Sequence, residues 1–348
     1  MQLPGTSDRL AYYFRFRALM CAADVTAFAL LAWIVFRRRE SMLATFTVLY
    51  GAATVILGHE LYDRLDMGVL FFVAVAMAAW VASFERQRKA PWLAGAYLAV
   101  GIGTAYKLFP AILAPFFAIS EVVTRTRWRS VGLRLMLCVV VASFPLALTY
   151  AYAGNGAFGF FSYHGTRGLE IESTWASVLW VLSFVRYPAV VVIRHGSWEL
   201  AGAAEQVVLE AAGLSTVVWL GGLVVWAVVL GRRFDGARAY LQAVLALGGL
   251  VIVSKAFSPQ YLIWAIPVLA LAAVEVVATK RQFYLVTALL LVCATLTALA
   301  YPVGRREIGS MNTWIMLALL ARNVVYVSLW LWLLGVCLRK DLAADRSQ

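Results

Sequence analysis

The chain has 348 residues, of which 63% are hydrophobic and 14% are charged, whereas soluble domains carry roughly 25% charged residues. This composition excludes soluble enzymes, soluble nucleic-acid-binding proteins and disordered scaffolds, because too few polar side chains are present to cover the fold in water. The formal net charge of +12 comes from short basic clusters between apolar runs, a pattern typical of membrane proteins. The sequence therefore predicts an all-α, polytopic protein that lies in a lipid bilayer and binds no nucleic acid.

Eleven apolar runs follow one another along the chain, and each predicts a transmembrane helix. A helix needs about 20 apolar residues to cross the hydrocarbon core, and fewer where it packs among other helices. The two runs on either side of Lys107 are short, and together they predict a broken helical hairpin. In chain order the runs cover residues 18–36, 41–57, 66–84, 92–106, 108–120, 131–152, 214–230, 239–254, 260–278, 282–300 and 312–338. We therefore expect residues 1–348 to form a single integral-membrane domain.

The basic residues between the runs predict which side of the membrane each loop occupies. When the runs are threaded alternately, eighteen of the 30 Lys and Arg residues fall on one side. Cytoplasmic loops are enriched in Lys and Arg, so this side is predicted to be cytoplasmic and to carry the carboxyl terminus. These residues are Arg37, Arg38, Arg39, Arg86, Arg88, Lys89, Arg125, Arg127, Arg129, Arg134, Arg232, Arg233, Arg238, Lys280, Arg281, Arg339, Lys340 and Arg346.

The same threading makes residues 153–213 one large extracytoplasmic segment, with an interfacial helix near residues 174–184. A segment of this length that does not span the membrane is usually functional. The threading also leaves Met1 outside with nothing to carry it across the membrane. We therefore expect a further helix upstream of Met1.

Two of the four charged clusters on the predicted extracytoplasmic side precede the long segment. The first, GHELYDRLD at residues 58–66, ends in Asp66, which either caps the next helix or provides a carboxylate for catalysis. The second is Lys107, which interrupts an apolar stretch. An ammonium group at membrane depth costs a few kcal/mol unless it reaches the interface or finds a partner, and the competing interpretation is that it binds a phosphate.

The other two clusters lie within and after the long segment. The third cluster, YHGTRGLEIEST at residues 163–174, contributes the candidate residues His164, Arg167, Glu170 and Glu172. The fourth cluster, SKAFSPQY at residues 254–261, contributes Lys255, Gln260 and Tyr261. Cations and carboxylates from loops that are distant in sequence are thus predicted to meet on one surface.

Transfer of a sugar from a lipid phosphate requires this combination of residues. The phosphate leaves as a stable anion and needs positive charge in a site of low dielectric constant, and the acceptor hydroxyl needs a carboxylate that takes its proton. We expect Lys107, Arg167 and Lys255 to hold the phosphate, His164, Glu170 and Glu172 to position the sugar or the acceptor, and Gln260 and Tyr261 to line the pocket. The candidate catalytic carboxylates are Asp66, Glu170 and Glu172. No metal or other cofactor is required, and a divalent ion bound by carboxylates is the alternative.

Three motifs at these residues resemble those of glycosyltransferase family 87. The motifs are KLFP at 107–110 with Pro115, RGLEIES at 167–173 and SKAFSPQYLIW at 254–264. The family consists of integral-membrane GT-C enzymes that use polyprenyl-phosphate mannose. The resemblance implies a GT-C fold, inversion at the sugar carbon, and transfer to a lipid or glycan acceptor on the extracytoplasmic face of the cell membrane.

The chain departs from the family pattern at its amino terminus. GT-C enzymes usually carry a catalytic Asp or Glu in the loop between their first and second helices, and the run at residues 18–36 resembles the second helix. If that loop lies upstream of Met1, the usual base lies there with it. If the chain is complete, Asp8 is a poor substitute, and the remaining candidates are Asp63, Asp66, Glu170 and Glu172.

Two other functions compete with this interpretation. A flippase or transporter of lipid-linked saccharides would use similar residues, although transporters often have paired halves and no two halves match in this sequence. An inactive partner subunit is the second alternative, because the usual catalytic loop is expected outside the sequence. Asp24 and Arg322 lie inside apolar runs, and they are candidates for function or for structural pairing.

Overall fold

The computed structural model describes residues 6–58, 60–85, 89–123, 127–194, 196–231 and 239–345, most of which are helical. The helices are α1 (Thr6–Arg39), α2 (Leu43–Leu57), α3 (Glu60–Asp63), α4 (Asp66–Glu85), α5 (Lys89–Tyr106), α6 (Leu113–Val123), α7 (Trp128–Ala153), α8 (Gly159–Thr166), α9 (Thr174–Ser183), α10 (Glu205–Gly231), α11 (Ala239–Val253), α12 (Tyr261–Val276), α13 (Lys280–Ala298), α14 (Arg305–Gly309) and α15 (Thr313–Asp345). The strands are β1 (Ala189–Arg194) and β2 (Ser197–Gly202). Short 3-10 or π turns occupy Glu40–Met42, Phe109–Ile112, Gly154–Phe158 and Leu299–Val303. The prediction of a helical membrane protein is confirmed at this level.

Six helical stretches among the described residues are long and apolar enough to cross a membrane, and four further apolar helices have 10–17 residues. The first stretch, Arg9–Leu57, contains α1 and α2, which fold back on each other. Tyr50 Oη donates to Asp24 Oδ1 at 2.7 Å although the two residues are 26 positions apart, a separation of about 39 Å in a straight helix. Tyr62 Oη donates to the other oxygen of Asp24, so this intramembrane charge is structurally paired. The count of eleven spans stays a prediction.

Basic residues from the loops predicted to be cytoplasmic meet at one end of the helical bundle. Arg37 forms an ion pair with Glu85 at 3.0 Å, where α4 ends. Arg38 forms an ion pair with Glu275 at 2.6 Å, close to the end of α12. The predicted cytoplasmic residues Arg86, Arg88, Arg125, Arg232, Arg233, Arg238 and Arg346 lie outside the described residues. Which side of a membrane this end faces stays a prediction.

The helix α12 lies at the centre of the main hydrophobic core. Residues 262–274 of α12 are all buried, because this helix is apolar on every face and packs against α1, α2, α4, α11, α13 and α15. The first residue of α12 is Tyr261, so the motif before it is held at the end of the best-packed helix. The candidate site therefore rests on a rigid part of the fold.

The segment 153–213 differs in part from the prediction. The interfacial helix is present as α9, but β1 and β2 form an antiparallel hairpin that the sequence analysis did not predict. The run AVVVIR is rich in β-branched residues, which favour strands, and Gly196 provides the positive φ of +71° in the turn. In addition, α10 begins at Glu205, earlier than the apolar run at 214–230 indicated. A second hydrophobic core packs the hairpin and α9 against α15.

Candidate active site

Lys107 lies at the break between α5 and α6. Pro110 occupies the first turn of the 3-10 segment Phe109–Ile112, where its missing N–H is tolerated, so the chain changes direction here. Lys107 Nζ donates to Asp66 Oδ1 at 2.7 Å. The Asp66 side chain is 2% exposed and the Lys107 side chain 29% exposed, so the ammonium group is paired at the edge of the core. It also lies 4.7 Å from the centre of the Tyr261 ring.

Asp66 is enclosed by this ion pair at the start of α4 and does not line the polar cavity described below. Its observed contact orients Lys107, and Asp63 in the same loop pairs with Arg17 at 2.7 Å. Asp66 therefore contacts Lys107, which lines the polar cavity, but Asp66 does not line the cavity itself.

Residues 167–170 run as an extended segment beside β2, and residues 170–173 form a turn. The backbones of Leu169 and Ile171 form hydrogen bonds of 2.9 Å with β2. Leu169 and Ile171 enter the second core, and the chain turns after Glu170, where the Ser173 N–H donates to the Glu170 carbonyl at 2.8 Å. Both glutamates line the polar cavity. The turn after Glu170 is therefore the local feature that accompanies the arrival of two carboxylates at the same site.

Arg167 and Glu170 form the second ion pair of the site. Arg167 Nη2 donates to Glu170 Oε1 at 3.0 Å, and Ser258 Oγ donates to the same oxygen. Both ionic side chains are about one-tenth exposed. Arg167 Nε and Glu170 Oε2 are buried without a hydrogen-bond partner among the described residues. This pair therefore contains one donor and one acceptor whose hydrogen-bonding capacity the described residues do not satisfy.

Lys255 supports the backbone of the same segment. Its Nζ donates to the carbonyl oxygens of Arg167 at 2.5 Å and Gly165 at 3.2 Å, while the Glu170 N–H donates to the Lys255 carbonyl at 3.0 Å. Burial lowers the pKa of Lys255, and the nearby Glu199 carboxylate acts in the opposite direction. Lys255 does not line the polar cavity, so its observed role is to position the segment that carries Arg167.

A polar cavity of about 340 Å³ joins these groups. Seven of the nine residues predicted for the site line it: Lys107, His164, Arg167, Glu170, Glu172, Gln260 and Tyr261. Residues that the sequence analysis did not select also line it: Arg64, Trp198, Ser258, Tyr301 and Arg305. Arg64 and Ser258 lie inside motifs that were singled out, and Arg305 belongs to an Arg–Arg pair after an apolar run. Trp198 carried no signal, because its strand was not predicted.

An apolar groove of about 640 Å³ opens onto the same site. Side chains of α7, α11 and α12 form much of its wall, including Leu146, Val251 and Trp264. The groove and the polar cavity share Lys107, His164 and Tyr261. An amphipathic molecule could therefore place its apolar part in the groove and its polar part beside Lys107.

A second groove of about 610 Å³ borders residues 165–167 and shares Leu250 and Ser254 with the first groove. Its walls come from α10 and from the end of α11, and they include Leu209, Gly213 and Lys255. Arg167 lines both this groove and the polar cavity. Two grooves thus approach one group of charged residues.

The described residues contain no group of three or more His, Cys, Asp or Glu side chains arranged to hold a metal ion. The scheme without a metal stays a prediction. Comparisons of the chain with protein-family profiles, curated proteins and solved structures found no match. The resemblance to glycosyltransferase family 87 therefore rests on the three sequence motifs.

Proposed function

We propose that the protein is a multi-pass GT-C-like glycosyltransferase of the cell membrane. It would move a sugar, mannose according to the motif resemblance, from a polyprenyl-phosphate donor to a lipid-linked or glycan acceptor on the extracytoplasmic side. The observation that supports this most is the apolar groove of about 640 Å³ that opens at Lys107 into a polar cavity of about 340 Å³. A long apolar tail with a charged headgroup matches this combination.

Lys107 and Arg167 are assigned to the donor phosphate. Each is positioned before a substrate binds, Lys107 by Asp66 and Arg167 by Glu170. As the bond between the sugar carbon and the phosphate oxygen breaks, negative charge accumulates on the phosphate. Positioned cations in a buried site stabilise this charge without reorganising during the reaction. Tyr261, whose ring lies beside Lys107, is assigned to the sugar.

Glu172 is assigned as the general base among the described residues. Glu170 already accepts hydrogen bonds from Arg167 and Ser258, so we assign it to hold Arg167. The acceptor hydroxyl would give its proton to the Glu172 carboxylate while its oxygen bonds to the sugar carbon and the polyprenyl phosphate leaves.

The second groove is assigned to a lipid-linked acceptor. It also reaches Arg167, so the acceptor and the donor could meet at the polar cavity. An enzyme that transfers a sugar between two lipids needs a groove for each lipid, whereas a flippase that moves one lipid across the membrane needs a single groove. This arrangement favours a transferase over a flippase.

Sugar transfer tests this proposal directly. Membranes that contain the protein would be incubated with polyprenyl-phosphate mannose, labelled in the sugar, and with extracted envelope lipids as acceptors. We expect a labelled lipid product in which the sugar is glycosidically linked, and much less product with the Lys107→Ala variant. Lys280→Ala is the matched control, because Lys280 is exposed at the start of α13 and outside the cavity. Movement of the labelled donor between leaflets without a new linkage would instead support a flippase.

A further inference from the structure

Arg322 is a buried cation that the scheme above does not use. It lies in α15, within a stretch apolar enough to span a membrane, and it is 0% exposed. Arg322 Nη2 donates to the backbone carbonyl of Glu172, and its guanidinium stacks 4.1 Å from the centre of the Phe257 ring. A buried charge of this kind is destabilising unless an opposite charge and hydrogen bonds compensate it.

Asn323, the next residue, binds the same part of the chain. Its Nδ2 donates to the Ser173 carbonyl at 3.2 Å and to Ser177 Oγ at 2.8 Å. Its Oδ1 accepts from Arg322 Nη2 at 3.0 Å. These two residues of α15 therefore hold the turn at residues 170–173 and the first turn of α9.

The compensating charge for Arg322 comes from the cavity side. Glu172 and, more weakly, Glu170 are the carboxylates that attract this guanidinium. Arg322 Nη1 is buried without a hydrogen-bond partner among the described residues. The guanidinium thus adjoins the backbone of the segment that carries the two glutamates, and their carboxylates are its compensating charges.

We propose that Arg322 is a positioning residue for Glu172. Its fixed charge orients the Glu172 carboxylate toward the cavity, and its planar group holds the Glu172 backbone at the same time. Lysine would keep the charge but could not reproduce the stacked, forked geometry of arginine. The inference rests on the proposed function, in which Glu172 takes the proton of the acceptor.

Steady-state kinetics of the purified full chain in liposomes test this role. We expect Arg322→Met to lower kcat about 100-fold, as loss of an oriented general base would, and to leave the KM for polyprenyl-phosphate mannose within about threefold. The kcat of Arg322→Lys should be about tenfold higher than that of Arg322→Met, because lysine restores the charge without the planar contacts. Arg186→Met is the matched control, since Arg186 is exposed after α9 and outside the cavity, and it should not change kcat.

A double-mutant cycle with Glu172→Gln separates positioning from a general loss of structure. In the Glu172→Gln background, Arg322→Met should lower kcat by no more than about twofold, because its target has already lost its charge. An equal loss in both backgrounds would overturn the proposal. If Arg322→Met does not fold, the same cycle with Arg322→Lys in its place tests whether the effects of Arg322 and Glu172 on kcat are coupled.

Thermal unfolding of the same variants keeps this inference separate from the proposed function. If the protein transfers no sugar, the proposed function fails, but Arg322 and Glu172 should still be coupled in stability. Arg322→Met should lower the unfolding temperature more in the wild type than in the Glu172→Gln variant. Equal shifts in both backgrounds would refute the interaction between the two residues.

Discussion

The ion pair between Lys107 and Asp66 allows a stability role and a binding role to be separated. Either residue alone can be neutralised without a large change of shape, by Lys107→Met or Asp66→Asn. Both changes together remove the pair and leave no charge behind. If Lys107 serves only to compensate Asp66, the double variant should behave like the wild type in every assay. If Lys107 also binds the donor phosphate, stability and transfer should respond differently.

The structure sets the expected size of both effects. Breaking one partner of a buried ion pair costs about 3–5 kcal/mol. Asp66 is 2% exposed but Lys107 is 29% exposed, so we expect each single variant to lose about 3 kcal/mol, the lower end of that range. The double variant should regain most of this loss. A charge-assisted hydrogen bond to phosphate contributes about 1.5–3 kcal/mol, which corresponds to about a 10-fold to 100-fold change in affinity.

Two measurements on the same preparations distinguish the roles. Thermal unfolding in detergent reports the stability, and transfer kinetics in liposomes report the KM for polyprenyl-phosphate mannose. The double variant should unfold near the wild-type temperature and still show a KM raised about 10-fold to 100-fold. The ion pair of Arg17 and Asp63 is the matched control, because it lies at the same end of the bundle but outside the cavity. Arg17→Met with Asp63→Asn should leave the KM unchanged. A double variant of Lys107 and Asp66 with wild-type KM would refute the assignment of Lys107 to the phosphate.

Two pairs of glycine substitutions test the segment at 165–168 and the second groove. A Cβ at Gly168 would lie 2.6 Å from Glu199 Oε2, so Gly168→Ala should destabilise the protein by about 1–3 kcal/mol in thermal unfolding, whereas Gly165→Ala meets nothing within 4 Å and should not. Equal unfolding temperatures for these two variants would contradict the packing described for this segment. Gly213→Trp projects into the second groove and should raise the KM for a lipid acceptor at least tenfold, while the donor KM stays constant. Gly221→Trp, on the same helix and equally unobstructed, is its control, and equal acceptor KM values for the two variants would argue against the groove.

Several features of the site could be predicted from local sequence signals. Lys107 stood out because a cation in an apolar run must find a partner, and the structure provides Asp66 at 2.7 Å. Glu170 and Glu172 stood out as two acids in one short motif. Both line one cavity, and the chain turns between them after Glu170.

Other features depend on contacts between distant parts of the chain. Arg322 lies 150 residues after Glu172, so its role could not be inferred from spacing. Lys255 was predicted to hold a phosphate, but its ammonium group donates to backbone carbonyls, an interaction for which side-chain chemistry gives no signal. The β-hairpin was overlooked because its apolar, β-branched first strand resembles part of a membrane span. Glu199, which faces this segment from β2, was overlooked for the same reason.

The most direct test is to locate a bound lipid phosphate on the protein. A polyprenyl phosphate with a photoreactive group in its tail would be cross-linked to the purified protein in liposomes, and the labelled peptides would be identified by mass spectrometry. We predict labelling of α7 and α11 along the first groove. Unlabelled polyprenyl phosphate should block this labelling, and the uncharged polyprenol should not. In the Lys107→Met variant, the two competitors should block the labelling to the same extent. Labelling spread over the outer helix surfaces, or equal competition by the alcohol, would contradict a lipid-phosphate site at Lys107.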